Sequence, residues 1–278
     1  MKKAKVFINA KINLTLDVQK KAGDYHQIES LVLPISIGDY IKVSKRADKK
    51  IVIKERGIKC GIKNEDNNAY KTAKAFIEKY ETSGVNIVIN KKIPLSSGLG
   101  GSSADIAGTL YSLNKIFGKE ELDILDKLGS DTRFMYYSRP AIISGRGEKL
   151  EFLKSVSSFF VIILLHEQGV SAKEGYKAFD DLNRTSQNNT KKALEFLETD
   201  REKAYKYFSN DLEEGVKALI PKIQTNINAL KSVGAKASLM AGSGSAVLGI
   251  FNDKKARDLA YKKLKKDYKD KIIKTQTI

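Results

Sequence analysis

From Gly84 to Pro94 the chain reads GVNIVINKKIP, with Val85, Ile87 and Ile89 at every second position. Alternation with period two puts all three on one face of a pleated backbone, so the segment is predicted as a half-buried strand. Beyond it the period changes. Ile106, Leu110, Leu113 and Phe117 recur at steps of four, three and four, the spacing of one helix face. Gly118 is placed to end that helix in the left-handed conformation, and Ser102 or Ser103 can cap its start. The N-terminal MKKAKVFINAKINL reads as a first strand and FFVIILL as a buried one. Helices are expected from Lys173 to Lys231. In the final KKARDLAYKKLKKDYKDKIIK, Leu259, Tyr261 and Leu264 are interleaved with lysines, which reads as a last helix with a solvated face.

The strand and the helix around residue 100 are joined by PLSSGLGGSSAD. A helix N-terminus carries free backbone N–H groups and about half a positive charge. Glycines allow close backbone approach and positive φ. Together they form a cradle for phosphate, to which serine hydroxyls add donors or ligands for a magnesium ion carried by a nucleotide. Taken alone, the run also suits a plain strand-to-helix turn. It is not a Walker A loop, which needs a lysine, nor the dinucleotide fingerprint, because Ser103 stands at the third glycine. The catalytic-loop and metal-binding motifs of protein kinases are missing.

The run does match P-x-x-x-G-L-G-[SG]-S-[SA]-A, and so resembles the phosphate loop of the GHMP kinases. AKINLTLDV (10–18) is similar to that family's first motif, a strand carrying a lysine. LMAGSGSAVLGIF (239–251) is similar to its third, a second glycine-rich turn. Within the family, AGDYHQIESLVLPISIGD (22–39) resembles the branch acting on 4-diphosphocytidyl-2-C-methyl-D-erythritol. So do GSD (129–131), SGRGEKL (144–150), GVSAKEGYKAF and NDLE (210–213). The resemblance runs from about residue 5 to 251. It implies an ATP- and Mg2+-dependent kinase of non-mevalonate isoprenoid biosynthesis that phosphorylates the 2-hydroxyl of a cytidyl-linked small molecule. The implied fold is α+β with two domains, 1–153 with the phosphate loop and 154–278, and the active site in the cleft between them.

The resemblance also assigns roles. Pro94, Gly98, Leu99, Gly100, Gly101, Ser102 and Ser103 would hold the ATP phosphates. Asp131 would be the base that takes the hydroxyl proton, kept ionised by an opposite charge, and Lys11 would stabilise the developing alkoxide or the transferring group. Tyr25 and His26 would read cytidine, by stacking and by ring nitrogens at the base edge, with Gly242, Ser243 and Gly244 also on the substrate. Without the resemblance, Asp131 reads as a turn or N-cap residue, Lys11 as a surface lysine, His26 as solvated. His166, after FFVIILL, reads as structural. No metal-ligand cluster is expected. The chain departs from the family pattern where Arg133 replaces a proline and Ser138-Arg139 replace a glycine pair. Two alternatives therefore stay open: a catalytically degenerate nucleotide- and cytidine-binding homologue, and a GHMP kinase for another small alcohol.

Composition narrows the class. A chain of 278 residues with 41% apolar residues favours two domains over one core. A single cysteine, Cys60, excludes an internal disulfide and fits a reducing cytoplasm. No apolar run reaches the roughly eighteen residues of a membrane span. The net charge of +17 admits an anionic substrate or nucleic acid, but no zinc-finger pair or aromatic RNA-binding signature accompanies it. Neither a nucleic-acid nor a membrane partner is expected.

Overall fold

The computed structural model describes residues 2–278. Helices and strands mix throughout, and the chain forms two compact units, each discontinuous in sequence. One comprises residues up to Ala10, Ile37–Leu95 and Gly100–Ser138; the other comprises Lys11–Ser36, Ser96–Leu99 and Arg139–Ile278. A single boundary after residue 153 does not separate them. The reason is strand length: Lys3–Asn13 and Tyr25–Lys45 each contribute residues to both.

In the first unit, residues 40–45 pair antiparallel with Val85–Lys91, which pairs in parallel with Ile51–Gly57. The alternation read in Val85–Lys91 is real: Val85, Ile87 and Ile89 are buried and the residues between them half-buried. Helix Gly101–Phe117 lies on this sheet, with Ile106, Leu110 and Leu113 fully inside. It also buries Ala104, Ala107 and Thr109, so its burial is wider than the single face predicted. Phe117 is only half-buried, with the Lys45 ammonium 4.1 Å over its ring. Gly118 closes the helix at φ +68°. Neither Ser102 nor Ser103 caps the start: the N-cap position is Gly100, without a side-chain bond.

In the second unit, Thr15–Ala22 and the first half of Tyr25–Lys45 form an antiparallel hairpin, extended by Ala141–Gly145. A separate antiparallel sheet runs in the order Ala237–Met240, Val247–Phe251, Phe160–Leu164, Ile272–Gln276. The expected helices are Ala172–Asp181, Asn189–Phe196, Arg201–Tyr205, Glu213–Leu219 and Lys222–Ser232. The last helix, Lys254–Tyr268, buries Arg257, Ala260 and Leu264, whereas Leu259 is 52% exposed. The IIK that follows the lysine run belongs to a strand rather than to this helix. His166 sits half-buried after Phe160–Leu164, its Nδ1 accepting from the Gln168 amide at 3.0 Å.

Candidate active site

Lys11 lies near the end of the first strand and is 5% exposed. An ammonium this deep needs partners, and its Nζ donates to Asn13 Oδ1 at 2.7 Å. Asn13 is itself held by donating to Ser30 Oγ at 2.8 Å. The Lys11 amide donates to the Leu99 carbonyl at 3.1 Å, so the first and second motifs are joined by backbone. The third motif joins them too. A Cβ at Gly98 would fall 1.8 Å from the Ala241 carbonyl oxygen, and one at Gly242 would fall 3.1 Å from Lys11 Nζ. Both positions have positive φ, +76° and +50°. Glycine is required at Gly98 because backbone passes backbone there at van der Waals distance.

The 241–244 turn is braced from beneath. Asn210 Nδ2 donates to the carbonyls of Met240 at 2.9 Å and Gly242 at 2.7 Å, and Glu213 Oε2 accepts from the Met240 amide at 2.8 Å. The Asp211 carboxylate accepts from the Val18 amide at 2.8 Å. This is the work of the NDLE string. Its first two residues form a short strand end and turn, and only Glu213 opens a helix. Ser243 is half-buried, its carbonyl beside Gly175 of helix Ala172–Asp181.

Tyr25 and His26 follow the hairpin turn. Tyr25 is 59% exposed, with the Arg146 guanidinium 5.0 Å over its ring. His26 stacks on Tyr176, with ring centroids 5.5 Å apart and planes 13° apart, and meets Phe179 edge-on. Both imidazole nitrogens face protein acceptors: Nδ1 the Gln19 carbonyl at 2.8 Å, Nε2 Asp180 Oδ1 at 2.7 Å. Asp180 also takes Lys21 Nζ at 2.6 Å; the bond from Lys21, then that from His26, holds its carboxyl below the usual range despite some burial. A base edge read by His26 would take the place of the Asp180 carboxylate. Tyr176 and Phe179 lie in the GVSAKEGYKAF string and Asp180 just after it, but the sequence assigned none of the three a role. Their spacing marks one helix face, but nothing marks His26 as its partner.

In the first unit, Gly100 has φ +83°, and its carbonyl accepts the first helical bond, from Ala104 at 2.9 Å. Ser102 Oγ accepts from Asn68 Nδ2. Ser103 Oγ would lie 3.8 Å from a Cβ at Gly129, which brings the loop beside the GSD string. Pro94 is half-buried and Leu99 fully buried, so Leu99 offers its backbone alone. Asp131 occupies the N-cap position of helix Thr132–Tyr137, yet its carboxylate makes no capping bond. Thr132 Oγ1 instead ties the turn down by donating to the carbonyls of Leu125 and Gly129, at 2.8 and 2.7 Å.

The departures from the family pattern are accommodated locally. Arg133 forks onto Asp126 with bonds of 2.5 and 2.6 Å. Ser138 takes the left-handed C-cap at φ +50°, and its hydroxyl donates to Asn9 Oδ1 at 3.1 Å. The Arg139 guanidinium lies 4.8 Å over the Phe152 ring.

Comparison with known proteins agrees with this geometry. Residues 67–132 match the GHMP kinases N terminal domain and residues 190–270 match GHMP kinases C terminal. A Staphylococcus aureus (strain JH9) protein named "Putative 4-diphosphocytidyl-2-C-methyl-D-erythritol kinase" is 39% identical over 249 residues, 87% of this chain and 88% of the relative. A crystal structure of 4-(cytidine 5'-diphospho)-2C-methyl-D-erythritol kinase superposes with TM-score 0.83 at 25% identity, covering 99% of each chain. Homoserine kinase from Cytophaga hutchinsonii shares the fold, with TM-score 0.73 at 17% identity, over 100% of this chain and 95% of that one. With its three glycine- and lysine-bearing motifs in place and both family domains matched, the chain belongs to the GHMP kinase family.

Proposed function

We propose that the chain transfers the γ-phosphoryl group of ATP to the 2-hydroxyl of 4-diphosphocytidyl-2-C-methyl-D-erythritol. The observation that carries this reading is the convergence on Lys11, where the first strand, the 98–99 backbone and the 241–244 turn are tied together. A buried ammonium between two glycine turns suits transferred phosphate, whose chemistry asks mainly for position and positive charge. The name of the 39% identical relative and the aromatic setting of His26 and Tyr25 supply the acceptor.

In this mechanism the amides of Gly100–Ser103 bind phosphate oxygens. Asp131 takes the proton of the 2-hydroxyl as its oxygen bonds to the γ-phosphorus, and the bond from that phosphorus to the ADP oxygen breaks. Lys11 steadies the negative charge that passes between them. Among the described residues, no group of three or more His, Cys, Asp or Glu could hold a metal ion. Mg2+ would come bound to the nucleotide, with Ser102 and Ser103 as oxygen donors of the type it takes. It would offset phosphate charge. Arg133 and Arg139 are engaged with Asp126 and Phe152, which favours an active enzyme over a degenerate binder.

The test is ADP release with ATP, Mg2+ and the cytidyl-linked methylerythritol, with mevalonate and homoserine in parallel. Release with the cytidyl compound alone is expected. Release with mevalonate alone would overturn the acceptor, and release with none would favour the degenerate binder.

A further inference from the structure

One charged side chain beside His26 has no part in the chemistry above. On helix Ala172–Asp181, Phe179 stands three residues after Tyr176 and Asp180 four, so the three share a face. The two rings fix the plane of the His26 imidazole, Tyr176 by stacking and Phe179 by its edge. The Gln19 carbonyl takes Nδ1 at 2.8 Å. Nε2 is the nitrogen left to meet a ligand, and it faces Asp180 Oδ1 at 2.7 Å. All these residues belong to the second unit.

The other Asp180 oxygen accepts from Lys21 Nζ at 2.6 Å. That bond, ahead of the one from His26, holds the carboxyl below its ordinary range against some burial. Asp180 is therefore ionised, and an ionised carboxylate only accepts. Nε2 presents an N–H to it. An acceptor and a donor thus stand side by side, and the acceptor cannot change roles. Stability is a weak reason for this arrangement. The Lys21 and Asp180 side chains are 49% and 36% exposed, and ion pairs that open to solvent contribute little. A pyrimidine is a better reason. Along one edge cytosine carries its 4-amino group, a donor, beside N3, an acceptor. Uracil carries O4, an acceptor, beside N3–H, a donor. The Asp180–His26 pair matches the first order and opposes the second at both places. A carboxylate accepts well from the cytosine amino group, and against O4 it sets two acceptors face to face, a repulsive element of the kind that gives specificity.

We propose that Asp180 is a specificity-determining residue: its carboxylate turns from His26 Nε2 to accept from the 4-amino group of a cytosine ring while Nε2–H turns to N3, so that cytidyl compounds are taken and uridyl compounds refused. The proposal rests on Tyr25 and His26 being the cytidine end of the site, and goes beyond it by naming the group that tells one pyrimidine from the other. Lys21 stays on Oδ2 and keeps the carboxylate charged. Refusal of uracil follows the general rule that a site built to pair with a substrate N–H strongly rejects the analogue lacking it.

The experiment is calorimetric titration of CDP and of UDP into wild type and Asp180→Asn, with a non-hydrolysable ATP analogue at saturation so that neither enters the nucleotide site. Wild type should favour CDP about ten- to a hundredfold, the usual worth of a matched base edge. An asparagine amide both donates and accepts, and can turn either way. In Asp180→Asn the ratio should therefore fall toward one, while affinity for the ATP analogue does not change. Loss of both affinities by one factor, with the ratio kept, would make Asp180 only a prop for His26 and overturn the proposal. Wild type that takes CDP and UDP equally, yet phosphorylates the cytidyl-linked acceptor, would overturn it and leave the proposed reaction standing. Wild type that binds neither would overturn the cytidine reading, and this inference with it. If Asp180→Asn does not fold by thermal melt, Asp180→Ser removes the same charge in a smaller side chain and is read in the same way.

Discussion

Gly98 tolerates no side chain, and the reason is a carbonyl. A methyl group there would sit 1.8 Å from the Ala241 oxygen, on a backbone at φ +76° that costs a non-glycine residue roughly 1–2 kcal/mol. Gly98→Ala should therefore lower the melting temperature and weaken binding of an ATP analogue together. Asp131 calls for the opposite pattern. Asp131→Asn keeps the shape and loses the basicity, so turnover should drop about 10²–10⁴-fold while both ligand affinities hold. Asp105, buried in helix Gly101–Phe117 with its Oδ2 2.7 Å from Lys91 Nζ, makes a prediction about stability. Its folded value is pushed from 3.8 to about 6, so in that interval the folded protein binds more protons than the unfolded chain. Stability from this group is full at low pH and lost as pH rises through about 6, by up to about 3 kcal/mol. The melting temperature of wild type minus that of Asp105→Asn should fall as pH rises. Gly98 and Asp131 were legible through their motifs, whereas the pairing of Asp105 with Lys91 was not, because that link is spatial.

Among elements, those with a clear period or an unbroken apolar run were legible, as FFVIILL was for strand Phe160–Leu164. Val85–Lys91 and Gly101–Phe117 were marked by periods two and 3.6; the burial of the strand follows its period, while the helix also buries Ala104, Ala107 and Thr109 beyond the one face. Ile272–Gln276 was hidden because IIKTQ is short, carries a lysine and follows a lysine run. It becomes a strand by pairing with Phe160–Leu164, a tertiary reason that outweighs local propensity. Helix Ala172–Asp181 was expected, but its use was not. It opens with a capping box: the Ser171 hydroxyl accepts from the Glu174 amide and the Glu174 carboxylate reaches back. It carries Tyr176 and Asp180 to His26. Ser171→Ala should cost about 1 kcal/mol in denaturant melts. If this helix shapes the cytidine end, the variant should also raise the KM for the acceptor more than that for ATP.

For the whole molecule, the family motifs made the class of fold legible, while the division into units was not, since two long strands carry residues of both. Charge was legible as composition. Lys262, Lys263, Lys265 and Lys266 are all exposed on the last helix, so replacing the four by glutamine should leave kcat and both KM values within about twofold, as surface changes away from a site do. Tight, salt-sensitive binding to RNA or DNA would contradict that. The four-stranded sheet has a consequence for biosynthesis. The apolar strand Phe160–Leu164 is flanked by Val247–Phe251 and Ile272–Gln276, both made about a hundred residues later. Until they emerge from the ribosome, both edges of this apolar strand stand open, a hazard for aggregation. Chaperone dependence during translation should therefore fall on this strand, and a chain stalled before residue 272 should be the species that such chaperones retain.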